Sequence, residues 1–310
     1  MLGPVRAVDE SCVLLDGPWE HRFVRANGSR FHVAELGTGP LVLLLHGFPE
    51  FWFAWEHQLT ALASAGFRAV AVDLRGYGAS DKPPRGYDGY TLAADVVGLI
   101  RALGERSASV IGAGYGGLAG WASAALHDRP VDRLVVLSSA HPLRLRAGAL
   151  SGGRTQAAAL RPMLAFQIPR YEHRLTRSDA ALVGDYLRLW SGPAWAGTED
   201  FATYARACRT AMQIPQAAFC SLEAFRWGAR SLLRLQGGRF RSDMRRPIAA
   251  PTLHLHGSAD PMVLPATALG SGRYVIGDYQ WRLIPGVGHF PHREAPDVVS
   301  GEIIAFLKNT

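Results

Sequence analysis

The stretch Ser109-Val110-Ile111-Gly112-Ala113-Gly114-Tyr115-Gly116-Gly117 runs from a short apolar strand, through a turn of small residues, into a helix that continues to about His127. Strand, sharp turn and helix in that order form the frame of a nucleophile elbow, small-x-nucleophile-x-small. Its flanking glycines let the chain turn so tightly that the middle residue projects above a sheet. With Gly112 first and Gly116 last, the middle position is Gly114, which carries no side chain. The glycines also suggest a phosphate-binding loop. However, no Gly-Lys-Ser/Thr follows, and no acidic residue about 20 positions on completes a dinucleotide fingerprint.

Working outward, His21 to Ala26 and Phe31 to Glu35 flank Asn27-Gly28, a strong hairpin signal. Leu41-Val42-Leu43-Leu44-Leu45 reads as a strand buried on both faces, and apolar runs recur at Ala69 to Val72, Leu134 to Ser138 and Thr252 to His256. Helical stretches lie between them at Trp55 to Ala65, Thr91 to Leu103 and Tyr115 to His127. A last helix, Pro296 to Leu307, carries Val299, Ile303 and Phe306 on one face. Strands alternating with helices predict an α/β fold with a mostly parallel central sheet flanked by helices. From Leu143 to Ala250 the strand signal disappears and the chain reads as helices broken by prolines. The expected organisation is a core domain of residues 1–141 and 251–310 with a helical cap, 142–250, inserted into it.

The chain has 310 residues, of which 48% are hydrophobic and 19% charged. This excludes collagen, coiled-coil and disordered classes and leaves material for a buried core. Cys12, Cys208 and Cys220 are too few for a disulfide framework, and no Cys/His metal spacing occurs. No signal peptide is read at the N-terminus and no run of 18 apolar residues appears, so a cytoplasmic location is expected. The net charge is +7, and the basic residues are two lysines and 31 arginines. Residues 142–250 hold 17 arginines and 7 acids, a local +10, while the remainder carries −3.

Four further segments complete a pattern. They are His46-Gly47-Phe48-Pro49-Glu50 with Trp52 and Trp55, Asp73-Leu74-Arg75-Gly76-Tyr77-Gly78-Ala79-Ser80, Leu255-His256-Gly257-Ser258-Ala259-Asp260-Pro261, and Gly286-Val287-Gly288-His289-Phe290. In this order, with the elbow and a helical insertion, the chain resembles the α/β-hydrolase superfamily over nearly its whole length. Within it, the resemblance is to the epoxide hydrolase-like and dehalogenase-like branch.

That resemblance implies the α/β-hydrolase fold and a triad in chain order nucleophile, acid, histidine. Asp260 falls on the acid position and His289 on the base position. Phe48 and Tyr115 would supply oxyanion N–H groups, and Trp52, Phe166, Tyr171 and Phe225 are candidates for the substrate pocket. Epoxide hydrolases use an aspartate at the elbow and most esterases a serine, so Gly114 departs from both. A second departure lies in the cap, where the family's two ring-opening tyrosines fall on Pro162 and Phe225. Glycine relieves the strained backbone of the elbow position, and so suits a chain without a side-chain nucleophile.

His46, Asp73 and Arg75 read as turn-holding residues, and His254 and His256 find no third ligand, so no metal site is expected. Ser138, Ser139, Cys208 and Cys220 are poor candidates for a substitute nucleophile. The favoured expectation is a hydrolase of a small apolar ester, lactone or epoxide, with His289 and Asp260 activating water and no covalent nucleophile. The alternatives are a binding protein that keeps the pocket, or a decayed or engineered enzyme. No cofactor is implied. The basic cap suits an anionic lipid-like ligand or peripheral contact with an anionic membrane, and solvated arginines on amphipathic helices are the simpler account of the same charge. Nothing resembles a nucleic-acid-reading motif, and the sequence does not fix the oligomeric state.

Overall fold

The computed structural model describes residues 8–127, 129–151 and 156–309. Part of the N-terminus on which the signal-peptide expectation rests, residues 1–7, lies outside them. Eight strands form one sheet in the order β1-β2-β4-β3-β5-β6-β7-β8. These are β1 (Glu20–Ala26), β2 (Ser29–Leu36), β3 (Leu41–Leu45), β4 (Arg68–Val72), β5 (Ala108–Ala113), β6 (Val131–Leu137), β7 (Thr252–Gly257) and β8 (Tyr279–Ile284). The β1–β2 hairpin turns at Asn27-Gly28, both with positive φ, and its second strand runs antiparallel to β4. From β4 to β8 every pairing is parallel. All five residues of β3 are buried, as are all six of β7, which is what strands covered by helices on both faces require.

β8 is missing from the apolar runs read in the sequence. It is an edge strand, mostly half-buried or exposed, in which Tyr279, Trp281 and Leu283 alternate with Gln280 and Arg282. Around the sheet lie α1 (Glu56–Ser64), α2 (Gly89–Ala102, capped by Asp88) and α3 (Gly114–Leu126). Between β6 and β7 the described residues contain helices and no strand of the sheet. They are α4 (Pro142–Leu150), α5 (Gln156–Ala159), α6 (Arg161–Leu164), α7 (Glu172–Trp190), α8 (Pro193–Ala196), α9 (Glu199–Met212), α10 (Ala217–Arg230) and α11 (Leu235–Asp243). Ser178, Asp179 and Ala180 interrupt α7 with left-handed backbone. The chain closes with α12 (Pro265–Leu269), α13 (Pro291–Glu294) and α14 (Pro296–Lys308), whose Val299, Ile303 and Phe306 are buried. No helix among the described residues is long and apolar enough to cross a membrane.

Candidate active site

The turn from β5 into α3 is built by close backbone contact. A Cβ on Gly116 would collide with the carbonyl oxygen of Leu45, and one on Gly112 with the carbonyl of Gly116, so side chains are excluded at both ends of the turn. Gly114 itself has φ +48°, a left-handed conformation that costs a side-chain-bearing residue about 1–3 kcal/mol. Ser139 Oγ donates to the Gly114 carbonyl at 2.8 Å and so fixes the turn from β6.

His289 stands over this turn. A Cβ placed on Gly114 would lie 3.1 Å from His289 Nε2 and 3.8 Å from Gly47 Cα. The other ring nitrogen, Nδ1, is 2.9 Å from Asp260 Oδ2, and both residues are buried. Asp260 is held in turn by the N–H groups of Met262 and Val263, which donate to Oδ1 at 2.9 and 3.0 Å. Burial alone would depress the pKa of His289. The Asp260 charge and hydrogen bond, with Glu50 and Glu294 behind them, outweigh it and raise the imidazole above its ordinary value. For Asp260, burial pushes upward, but His289 and the backbone donors hold the carboxyl below the usual range.

The backbone of His289 is fixed as firmly as its ring. Its N–H donates to the Trp190 carbonyl at 2.8 Å, which ties the base loop to the end of α7. Glu294 accepts from the N–H groups of Gly192 and Gly288 on Oε2, both at 2.8 Å, and from Phe290 on Oε1 at 3.0 Å. Neither Trp190 nor Glu294 stood out in the sequence. Contacts to backbone groups leave no spacing pattern, and Trp190 meets His289 across 99 positions of chain.

On the facing side, the turn after β3 is held by Glu50. Its Oε2 accepts from Gly47 N at 3.0 Å, and its Oε1 accepts from Tyr204 Oη at 2.7 Å and His292 Nε2 at 3.0 Å. Burial would raise this carboxyl, but His292 and Tyr204 pull it down to about 2. His46 bonds to Gly47 O through Nδ1 and accepts from Leu74 N on Nε2, so it holds the turn as read. Among the described residues the N–H groups of Phe48 and Tyr115 donate to no protein acceptor. Both residues line the cavity that contains Gly114.

That cavity has a volume of about 400 Å³. Gly114, His289, Phe48, Tyr115 and Phe225 line it, whereas Trp52, Phe166 and Tyr171 do not. Trp52 is a correction to the sequence reading, because its Nε1 donates to Val13 O and its ring packs edge-on against Trp19, away from the pocket. Phe166 is fully buried behind the wall, against Phe48 and Phe225. Tyr171 is paired hydroxyl to hydroxyl with Tyr186 at 2.7 Å. Ser138 also lines the cavity, with φ +47° and a buried Oγ that has no partner.

Asp73 staples its loop by accepting from Trp52 N and Ala79 N, and Arg75 grips Asp95 through two nitrogens. His254 and His256 bond to Tyr279 Oη and Val263 O. Glu56, His57 and Asp200 come within ligand distance of one another, but Arg293 already bridges the two carboxylates.

Residues 40–296 match the family described as alpha/beta hydrolase fold. Epoxide hydrolase 4 of Mus musculus is 32% identical over 317 residues, covering 98% of this chain and 84% of that protein. Epoxide hydrolase 3 of Siraitia grosvenorii is 43% identical over 121 residues, so this chain spans only 38% of that relative's length. Among solved structures, an epoxide hydrolase from an endophytic Streptomyces superposes with TM-score 0.78 at 28% identity, covering 94% of this chain and 96% of that one. The epoxide hydrolase VrEH1 of Vigna radiata gives 0.76 at 26% identity, with 94% and 98% covered. With the sheet order, the elbow turn and the Asp260–His289 pair already in place, the chain belongs to the α/β-hydrolase fold family, in its epoxide hydrolase-like branch.

Proposed function

We propose that the protein hydrolyses small apolar esters or lactones, and epoxides less well, by direct attack of water. His289 removes a proton from a water standing above Gly114, and the water oxygen bonds to the carbonyl carbon. The resulting oxyanion accepts from Phe48 N–H and Tyr115 N–H, and the imidazolium returns its proton to the departing alkoxide. The products are an acid and an alcohol, and no bond to the protein forms. One observation carries this reading: the free nitrogen of His289 faces the space that a side-chain nucleophile on residue 114 would fill, 3.1 Å from its Cβ. Carbonyl substrates are favoured because the two cap positions from which the family's tyrosines would open an epoxide hold Pro162 and Phe225, and neither side chain can donate. Tyr171 and Tyr186 bond hydroxyl to hydroxyl outside the cavity wall, which leaves, among the described residues, Ser138 Oγ and Tyr115 Oη as the unpartnered hydroxyls on cavity-lining residues.

A panel of p-nitrophenyl esters, lactones and styrene-type epoxides, assayed with the natural protein and His289→Ala, tests the proposal. Slow turnover that disappears in His289→Ala supports it, and turnover unchanged in that variant overturns it. The missing side chain at 114 also favours a second reading, a binding protein that keeps the cavity. No turnover on any substrate, with saturable binding of the same compounds, would select that reading instead.

A further inference from the structure

The mouth of the cavity has a composition that catalysis does not require. Leu150 at the end of α4, Leu164 at the end of α6 and Leu232 after α10 all line the cavity, yet they are 70%, 67% and 54% exposed. Ile168 and Leu235 follow closely in the chain and are also exposed. Arg146 and Arg241 line the same opening. The described stretches that supply this lip, 142–151, 156–170 and 224–242, contain nine arginines and no aspartate or glutamate.

The acids of the inserted segment lie elsewhere or are spoken for. Glu172 is paired with Arg226, Asp179 with Arg209 and Asp200 with Arg293, while Asp185 is on α7 and Glu199 on α9. Glu223 is paired with Arg226 and Arg230, and Asp243 with Arg246 and Tyr90. Among the described residues Arg144, Arg146, Arg161, Arg170, Arg234, Arg239 and Arg241 form no ion pair. Exposed aliphatic side chains beside Arg146 and Arg241, which form no ion pair among the described residues, make one surface with two chemistries at an apolar cavity.

We infer that this lip is a docking face for an anionic lipid bilayer, from which an apolar ligand passes directly into the cavity. The arginines would meet the headgroups while the leucines reach the acyl boundary. Charge complementarity selects this occupant. A second copy of the chain, docked face to face, would set like charges against like charges. A nucleic acid strand would seek aromatic platforms, and the exposed apolar side chains of the lip are leucine and isoleucine. The inference holds whether the cavity hydrolyses its ligand or only binds it, because it concerns how the ligand arrives.

The experiment is co-sedimentation of the full chain with extruded vesicles of phosphatidylcholine alone or with 30–40% phosphatidylglycerol. It is run at low salt and at about 0.5 M salt, where screening is nearly complete. The expected result is binding to the anionic vesicles only, lost at high salt. Partitioning should fall about fivefold for each of Arg146→Gln and Arg241→Gln. The triple variant Leu150→Ser, Leu164→Ser, Leu232→Ser should lose most of the remainder, whereas Leu283→Ser on β8 should lose nothing. Circular dichroism and melting curves for each variant separate loss of binding from loss of fold. Absence of binding, equal binding to neutral vesicles, or insensitivity to the leucine triple variant overturns the inference. A dimer by light scattering that the same leucine substitutions dissolve would assign the face to a second copy instead.

Discussion

The free imidazole nitrogen of His289 lies 3.1 Å from the point at which a Cβ on Gly114 would stand. A Cβ there would be crowded by a few tenths of an ångström, so His289 stands directly over the position of a side chain that residue 114 does not have. The surrounding restraints all remain in place. Asp260 holds Nδ1, Trp190 O holds the backbone N–H, and Glu294 holds the loop on either side. Positioning a base this closely is of use where a water or ligand group takes the missing position.

Restoring a nucleophile should therefore be chemically simple and structurally costly. Gly114→Ser would place Oγ within reach of His289 and should form an acyl-enzyme with an activated ester, seen as a mass increase equal to the acyl group. The natural protein should show none. The same variant puts a Cβ on a backbone with φ +48° and forces His289 back by a few tenths of an ångström, so it should be less stable by on the order of 1–3 kcal/mol. A variant that melts normally and acylates nowhere would show that residue 114 is not addressed by His289.

The Glu294 clamp predicts a loss of a different kind. Glu294→Ala would leave the N–H groups of Gly192, Gly288 and Phe290 without their acceptor. A partly buried donor left unpaired costs about 1–3 kcal/mol, and water entering the gap offsets some of it, so a net loss of about 2–4 kcal/mol in urea unfolding is expected. Glu294→Gln keeps an acceptor oxygen and should recover about half. If both variants unfold at the natural midpoint, the clamp is ornamental.

The elements legible in the sequence are those whose burial leaves a pattern along the chain. The continuous apolar run of β3 follows from cover on both faces, and the Asn27-Gly28 hairpin from two positive φ angles that glycine and asparagine tolerate. Asp260 and His289 were legible through their motifs, and the structure brings them together. Relations between distant backbone and side-chain groups were not legible. Trp52 sits in a Trp-rich segment that suggests a pocket wall, but its indole N–H is claimed by Val13 O, 39 residues earlier. Ser138 reads in the sequence only as a poor candidate for a substitute nucleophile, because a strained φ and an orphaned hydroxyl have no sequence signature. β8 was unread because an exposed edge shows only alternation.

Removing the acid partner should move the pH dependence in a definite direction. His289 acts as a base only when neutral, and Asp260 raises its pKa against the opposing effect of burial. Below that pKa, kcat/KM should rise about tenfold per pH unit, with a midpoint above 6.5. In Asp260→Asn, burial acts with less opposition and the midpoint should fall. Loss of the correct tautomer would at the same time cut the plateau by roughly 10³–10⁴. A lower plateau with an unmoved midpoint would mean that Asp260 orients the ring without setting its proton affinity.

Glu50 makes the same linkage argument visible in stability alone. Its carboxyl is buried, and His292 and Tyr204 pull its pKa from 4.5 to about 2. A depressed folded-state pKa stabilises the protein above the unfolded value, and that contribution is lost as pH falls through the folded one. The depression of roughly two and a half units corresponds to about 3 kcal/mol, present in full above pH 5 and absent near pH 2. Glu50→Gln is isosteric but removes the charge, so His292 Nε2 and Tyr204 Oη would face a neutral amide. Its urea midpoint should lie well below that of the natural protein at pH 7, and the two curves should approach each other as pH falls from 5 toward 2. If the gap is constant with pH, the network contributes through hydrogen-bond geometry alone. A gap that widens toward low pH would contradict the direction of the shift.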